Sequence, residues 1–121
     1  MNKNKLRMRA DKLLKNLRQY ESYAEYYEAL RENGSVPMRK AQAVEARAIH
    51  YRETVKAVEK TMETFNKMER EVITLLYFTP DMCVDDVCDK VAAERSTVYR
   101  YRASALDKIA ESVFYVGGVP L

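Results

Sequence analysis

The sequence predicts an all-α protein with an antiparallel, coiled-coil-like helical hairpin over residues 1–66 and a unit of three shorter helices over residues 67–121. Three observations support this prediction. The 121 residues include only three Gly and three Pro, and residues that favour helices are abundant. Apolar residues recur at heptad spacing along two long segments of the first half. The second half holds three shorter amphipathic segments, which turn residues separate.

The first long helix is predicted over residues 3–32. Its apolar positions recur in alternating steps of four and three, a spacing that places them along one seam of a helix. The seam comprises Leu6, Ala10, Leu13, Leu17, Tyr20, Ala24 and Tyr27. Gly34 is expected to end the helix, because glycine adopts the left-handed conformation of a helix C-terminus without strain.

A second long helix is predicted over residues 37–65. Its seam has the same spacing and comprises Ala41, Val44, Ala48, Tyr51, Val55, Val58, Met62 and Phe65. Two such helices joined by a short turn are expected to fold back on each other. Because one hairpin buries little apolar surface, we expect two copies to pair as a homodimer; the alternative is a monomer whose hairpin packs only on its own C-terminal unit. The residues expected at the dimer interface are Leu13, Leu17, Tyr20, Tyr51, Val55, Val58 and Met62.

Three shorter helices are predicted in the second half of the chain. They cover residues 68–78, 84–92 and 95–114. Asn66 and Glu69 have the spacing of a capping box, which indicates the start of the first of these helices. Pro80 follows its end, because proline cannot continue a helix. Residues 92–94 form a tight connection between the second and the third.

The third of these helices begins with a polar and basic face. The side chains on this face are Arg95, Ser96, Thr97, Tyr99, Arg100 and Arg102. Acidic residues outnumber basic ones over residues 67–94, and the balance reverses over residues 95–108. Two helices joined by a tight turn, the second with such side chains at its start, are typical of a helix-turn-helix that binds DNA in the major groove. The alternative is an ordinary three-helix bundle whose basic face is only solvated.

Short motifs within residues 68–114 are similar to those of a known family. They are Tyr77-Phe78, Ala92-Ala93, the run Ser96-Thr97-Val98-Tyr99-Arg100, and Ala105-Leu106. The segment resembles region 4 of sigma-70-type factors and, more closely, the C-terminal half of phage late-gene regulators of the ArpU and RinA type. It departs from their pattern at Cys83 and Glu94, where a Ser, Thr or Asn cap is usual, and at Ala92, where a Gly often lies.

The resemblance implies a phage or prophage transcription regulator that activates a late operon in the cytoplasm of the bacterial host. Double-stranded DNA is its expected partner, and RNA polymerase is a further candidate. Two alternatives stay open: a small terminase-like subunit that recognises DNA for packaging, and a protein-interaction module that contacts RNA polymerase through an acidic face. That face would comprise Glu69, Asp81, Asp85 and Asp86.

A second group of basic residues lies near the start of the sequence. Its candidates for contacts with DNA phosphates are Lys3, Lys5, Arg7 and Arg9. A solvated helix end explains these charges equally well. The net charge of +3 permits nucleic-acid binding without requiring it. No apolar run reaches the length that crosses a membrane, so a cytoplasmic location is expected.

The sequence contains no motif that indicates catalysis. It lacks a glycine-rich phosphate loop, and no Ser/His or Cys/His set has a third member. Cys83 and Cys88 are expected to be reduced, half-buried thiols, and with a single His in the chain no metal site is expected. The prediction is therefore a non-enzymatic protein that binds no cofactor.

Overall fold

The computed structural model describes residues 2–34, 36–116 and 119–120. It is all-helical, which confirms the predicted fold class. The helices of the described chain are α1 (Lys3–Lys15), α2 (Leu17–Asn33), α3 (Met38–Met62), α4 (Lys67–Tyr77), α5 (Val84–Val91) and α6 (Arg95–Val113). Two-residue strands β1 (Tyr115–Val116) and β2 (Val119–Pro120) follow and pair antiparallel, with Tyr115 opposite Pro120.

The first predicted helix is broken near its middle. The prediction of one helix over residues 3–32 was wrong, because α1 ends at Lys15 and α2 begins at Leu17. Asn16 lies between them with φ −107° and ψ 10°, and its side-chain amide donates a hydrogen bond of 2.9 Å to the carbonyl of Lys12. Asparagine competes in this way with the hydrogen bonds of a continuing helix.

The two halves of the predicted first helix pack on different partners. α2 lies antiparallel against α3: Arg31 contacts Glu45 near one end of the pair, and Tyr20 contacts Tyr51 towards the other. Gly34 ends α2 at φ 70°, in the left-handed conformation that favours glycine. α1 instead lies on α6, where Arg7 pairs with Asp107. The heptad spacing therefore continues across the break, although its apolar side chains serve two interfaces.

The main core draws on both sides of the predicted domain boundary at residue 66. Its fully buried members include Ala10 of α1, Val58 of α3 and Ile109 of α6. The remaining buried members are Leu6, Leu13, Leu14, Leu17, Val55, Phe65, Ile73, Ala105, Leu106 and Ala110. Burial of each large aliphatic side chain stabilises the fold by about 1.5–3 kcal/mol. α1, the end of α3 and α6 thus share one apolar core.

Four residues expected at a dimer interface lie inside this core. Leu13, Leu17, Val55 and Val58 are each no more than 6% exposed within a single chain. They cannot contact a second copy without unfolding, so their assignment to the interface is corrected. Tyr20, Tyr51 and Met62 are only half-buried and remain at the surface of the chain.

Helices α4, α5 and α6 surround a second, smaller core. Val72, Val87 and Val98, one from each helix, are its fully buried members. The predicted capping box begins α4: the Glu69 N–H donates to Asn66 Oδ1 at 2.8 Å, and the Asn66 N–H donates to Glu69 Oε1 at 2.9 Å. Ala92 ends α5 in the left-handed conformation, with φ 53° and ψ 49°. This turn sets the direction in which α6 leaves α5.

Glu69 also fastens α4 to α6 and is fully buried. Lys108 Nζ donates to its Oε1 at 2.7 Å, and Ser104 Oγ donates to its Oε2 at 2.6 Å. Burial raises the pKa of a carboxyl group, but the hydrogen bonds from Lys108, Ser104 and the Asn66 N–H outweigh it, so the pKa of Glu69 lies below its ordinary value. Both cores therefore hold α6 in a fixed position.

None of the helices in the described ranges is both long and apolar enough to cross a membrane.

Candidate nucleic-acid interface

The start of α6 presents four of the six residues predicted to bind DNA. Arg95, Ser96, Tyr99 and Arg100 are exposed, and they occupy the first two turns of the helix. The Tyr99 side chain is 44% exposed although it is large and aromatic. Val98, on the opposite side, is fully buried between α4 and α5. Because Val98 is buried, the polar side chains on the other side of α6 face outward.

Thr97 lies apart from this exposed cluster. Thr97 is half-buried. Because it lies two residues before Tyr99 on the helix, its side chain points to nearly the opposite side of α6. The structure therefore brings together Arg95, Ser96, Tyr99 and Arg100, hereafter the α6 face.

Arg95 is oriented by Asp85 of α5. Its Nε and Nη2 atoms both lie 2.8 Å from Asp85 Oδ1, while the arginine side chain remains 59% exposed. The neighbouring carboxylate raises the pKa of Arg95, chiefly through this hydrogen bond. Exposed ion pairs of this kind add little stability. Asp85 therefore limits the rotamers of Arg95 while leaving most of the guanidinium open to a partner.

Arg102 does not belong to the α6 face. Its Nη2 donates to Asp11 Oδ1 at 2.8 Å and its Nε donates to the Tyr77 hydroxyl at 3.1 Å, and the same hydroxyl donates to Asp11. The prediction that Arg102 contacts DNA directly is corrected, because the structure commits this side chain to a junction of α1, α4 and α6. We call Asp11, Tyr77 and Arg102 the three-helix junction.

The three-helix junction shifts the acidity of its members. Burial, followed by the hydrogen bond to Asp11, raises the pKa of Tyr77 above its ordinary value. Burial would also raise the pKa of Asp11, but hydrogen bonds from Tyr77, Lys15 and Arg102 outweigh it and the pKa is lowered. Asp11 is therefore a carboxylate and Tyr77 a neutral phenol at neutral pH.

Most of the basic residues predicted to touch phosphates hold α1 against α6. Arg7 makes two hydrogen bonds of 2.9 Å to Asp107, and Lys3 Nζ lies 3.4 Å from the same carboxylate. The Arg9 guanidinium lies over the Phe114 ring, 4.1 Å from its centroid. Lys5 alone of the four is fully exposed without such a contact among the described residues. The bidentate pair corrects the assignment of Arg7 to phosphate binding.

The acidic face expected for a protein-interaction module is incomplete. Glu69 is buried and bound to Lys108, so it is not part of any surface. Asp85 is paired with Arg95, and Asp86 accepts a hydrogen bond of 3.1 Å from the Cys83 N–H at the start of α5. Asp81, in the loop between α4 and α5, is exposed, and Asp85 and Asp86 are exposed as well despite their contacts. Cys83 is exposed rather than half-buried, and both thiols are free.

An aromatic cluster lies along one side of the α2–α3 pair. Tyr51 is its centre: the Tyr20 and Tyr23 rings lie 5.2 Å from its ring and the Tyr27 ring lies 5.9 Å from it. His50 is exposed at the edge of the cluster. Tyr23 and Tyr26 are 45% and 58% exposed. We call Tyr20, Tyr23, Tyr26, Tyr27 and Tyr51 the tyrosine face.

A basic cleft beside the junction was not singled out by sequence reasoning. It lies where α1 gives way to α2 and meets the end of α4, with a volume of about 350 Å³. Its lining residues are Leu14, Lys15, Arg18, Tyr77, Phe78, Thr79 and Pro80. The only signal in the sequence was the basic run that continues past Arg9. Its meeting with Tyr77 depends on the break at Asn16, which no pattern indicated.

Comparison of the chain with protein-family models, with curated proteins and with solved structures finds no match.

Proposed function

We propose that this protein is a sequence-specific, DNA-binding transcription regulator whose helix α6 enters the major groove. One observation carries the proposal: the α6 face gathers Arg95, Ser96, Tyr99 and Arg100 on the first two turns of a helix. The opposite side of the same helix is fixed by the buried Val98. The major groove admits an α-helix, and Arg, Ser and Tyr supply the hydrogen bonds that read bases and hold phosphates.

The spacing on α6 fits a short stretch of DNA. Arg95 and Arg100 are five residues apart, so they are separated by about 7.5 Å along the helix axis. This is close to two base-pair steps of about 3.4 Å each. Arg100 is exposed, and its guanidinium makes a cation–π contact, 5.4 Å from the centroid of the neighbouring Tyr101 ring, which a bidentate contact with a base can replace. Arg100 is therefore the best candidate for a bidentate contact with a guanine.

The resemblance to phage late-gene regulators supports a more specific role. The motifs that carry it lie in α4, α5 and α6, and the α6 face includes Ser96, Tyr99 and Arg100 of the quoted run. We accordingly propose that the regulated genes are those of a phage or prophage late operon. A homodimer would place two α6 helices on half-sites about one helical turn apart.

The test is selection of bound duplexes from a random pool, followed by titration of the enriched site. Arg100→Ala is expected to weaken binding to the enriched site by about 1–3 kcal/mol, which is roughly 5- to 150-fold. Binding to random DNA should change much less, because a base contact carries specificity. Arg39→Ala is the matched control: Arg39 is an exposed arginine at the start of α3, the end away from α6, and its loss should have little effect.

Several outcomes would contradict the proposal. Failure of the wild-type protein to enrich any sequence would exclude specific DNA recognition. Equal weakening of specific and random binding by Arg100→Ala would make Arg100 a phosphate contact and remove its base-reading role. Ring-sized oligomers in sedimentation would instead support the terminase-like alternative.

A further inference from the structure

The basic cleft is connected to α6 through the three-helix junction, since Tyr77 lines the cleft and accepts a hydrogen bond from Arg102. Lys15 Nζ lies 3.0 Å from Asp11 Oδ2, and Asp11 Oδ1 accepts from Arg102. Arg102 is three residues beyond Tyr99 on α6, a rise of about 4.5 Å. The contacts from Arg102 through Asp11 to Lys15 therefore join α6, just beyond the α6 face, to the lining of the cleft.

The charge in this cleft is available to an anion. The Lys15 side chain is 64% exposed, and Arg18, at the start of α2, is exposed as well. Asp11 does not neutralise the positive charges of both Lys15 and Arg18, because its carboxylate already accepts hydrogen bonds from Tyr77 and Arg102. An exposed pair such as Lys15 with Asp11 is weak and exchanges easily with a competing anion. No acidic side chain is among the residues that line the cleft.

The position of the cleft selects the kind of anion. A helix in the major groove is flanked on each side by a phosphate backbone, and the groove is about 12 Å wide. From Arg95 to Arg102 the α6 helix rises about 10 Å. Side chains near Arg102 therefore lie beyond the first two turns that are proposed to enter the groove, where the flanking backbone is the part of the DNA to contact. The exposed ring of Phe78 and the Pro80 ring add apolar walls that suit the sugars between phosphates.

Building on the proposed function, we propose that Lys15 and Arg18 bind the phosphate backbone of one DNA strand that flanks the groove entered by α6. The three-helix junction sets the distance between these two cations and the α6 face. α1 and α2 thus extend the DNA-binding surface beyond the three-helix unit. The phosphate contacts come from the end of α1 and the start of α2, rather than from Lys3 and Arg7, which Asp107 holds.

The start of α3 offers a matched control for this proposal. Arg39 and Lys40 are both exposed there, at the end of α3 away from α6. Substitution of both by Gln removes two positive charges, as the substitution of Lys15 and Arg18 does. Neither pair lies in the core, so both doubly substituted proteins should unfold at the urea concentration of the wild type.

The experiment measures the slope of log K against log salt concentration on the enriched duplex and on random DNA. The slope is negative, and each lost phosphate contact reduces its magnitude by about 0.9, so Lys15→Gln with Arg18→Gln should make it less negative by about 1.8 on both duplexes. The ratio of specific to random affinity should stay constant, because phosphate contacts carry no sequence information. Arg39→Gln with Lys40→Gln should leave the slope unchanged. Ethylation of single phosphates should show interference beside the enriched bases, and this signal should be lost in Arg18→Gln.

The results separate this proposal from the one it rests on. In one result, the wild type enriches a site and Arg100→Ala weakens binding to it, while the slope of the Lys15 and Arg18 variant is unchanged. That result would overturn only the proposal that Lys15 and Arg18 bind phosphates. Equal slope changes in both double variants would also overturn it, since they would indicate a diffuse electrostatic effect. A wild type that binds no DNA overturns both. If the double variant unfolds early, Arg18→Gln alone tests the proposal, because the exposed Arg18 side chain has no ion pair with any described residue.

Discussion

Ala92 is a residue whose backbone conformation conflicts with its side chain. The left-handed conformation, φ 53° here, costs a non-glycine residue about 1–2 kcal/mol. Glycine removes that strain, although its freedom in the unfolded chain costs about 0.4–1 kcal/mol. Ala92→Gly is therefore expected to raise the free energy of unfolding by up to about 1 kcal/mol, as measured by urea denaturation. Ala93→Gly, one residue on and outside the left-handed region, should lower it; equal effects would contradict the strain argument.

Glu69 makes the fold sensitive to acid. Because its folded pKa lies below the ordinary value of 4.5, its contribution is complete above that value and is lost as the pH falls through the lower, folded pKa. Glu69→Gln should destabilise the protein by about 1–3 kcal/mol at pH 7, since it removes charged hydrogen bonds to Lys108 and Ser104. Urea denaturation at pH 7 and at pH 3 should show this difference shrinking in acid. A difference that does not depend on pH would exclude the carboxylate as its source.

At the scale of elements, α1 is fixed to α6 by the three-helix junction. Asp11→Asn leaves the half-buried Arg102 without its anionic partner and is expected to lower the free energy of unfolding by about 1–3 kcal/mol. The DNA affinity should fall as well, because α1 no longer holds the middle of α6. Asp89→Asn is the control, since Asp89 is an exposed acid on α5 and its loss should change stability by less than about 0.5 kcal/mol. Equal effects of the two substitutions would show that the junction adds nothing specific.

Helix positions were largely predictable from the sequence, and the partners of the helices were not. The capping box of Asn66 and Glu69 is a local signal, and it begins α4 as predicted. The break at Asn16 was not predicted, because heptad spacing is the same whether a seam faces one partner or two. The partner of α1 was not predictable either, since residues such as Asp107 lie about 100 positions away.

The same limit applies to the candidate site. Arg100 and Arg102 are two residues apart, so they point to nearly opposite sides of α6, and their sequence context is alike. Only the position of Asp11 on another helix decides that Arg102 is internal and Arg100 is free to meet a partner. Glu69 was predicted correctly as a cap, but its burial follows from Ser104 and Lys108, which lie far along the chain.

At the scale of the whole molecule, the tyrosine face is the surface we propose for pairing of two copies. Tyrosine is enriched where proteins associate, because its ring buries a large area at low entropic cost. Tyr23→Ser with Tyr26→Ser should shift sedimentation towards the monomer without lowering the free energy of unfolding of the monomer, since both side chains are largely exposed. Met38→Ser removes another exposed apolar side chain, at the start of α3, and should leave the association unchanged. A wild type that sediments as a monomer while binding its DNA fully would overturn the dimer.

The pairing of Arg7 with Asp107 has a consequence for the way the chain folds. These residues are 100 positions apart, so the ion pair closes a loop that takes in most of the sequence. Contacts of such separation form late, because the entropy of the loop is lost before the contact stabilises anything. During synthesis α1 leaves the ribosome before α6, and it can pack on α6 only after α2 to α5 have been translated. Until then Leu6 and Ala10 have no core to enter, and the helix proposed to read DNA lacks its support.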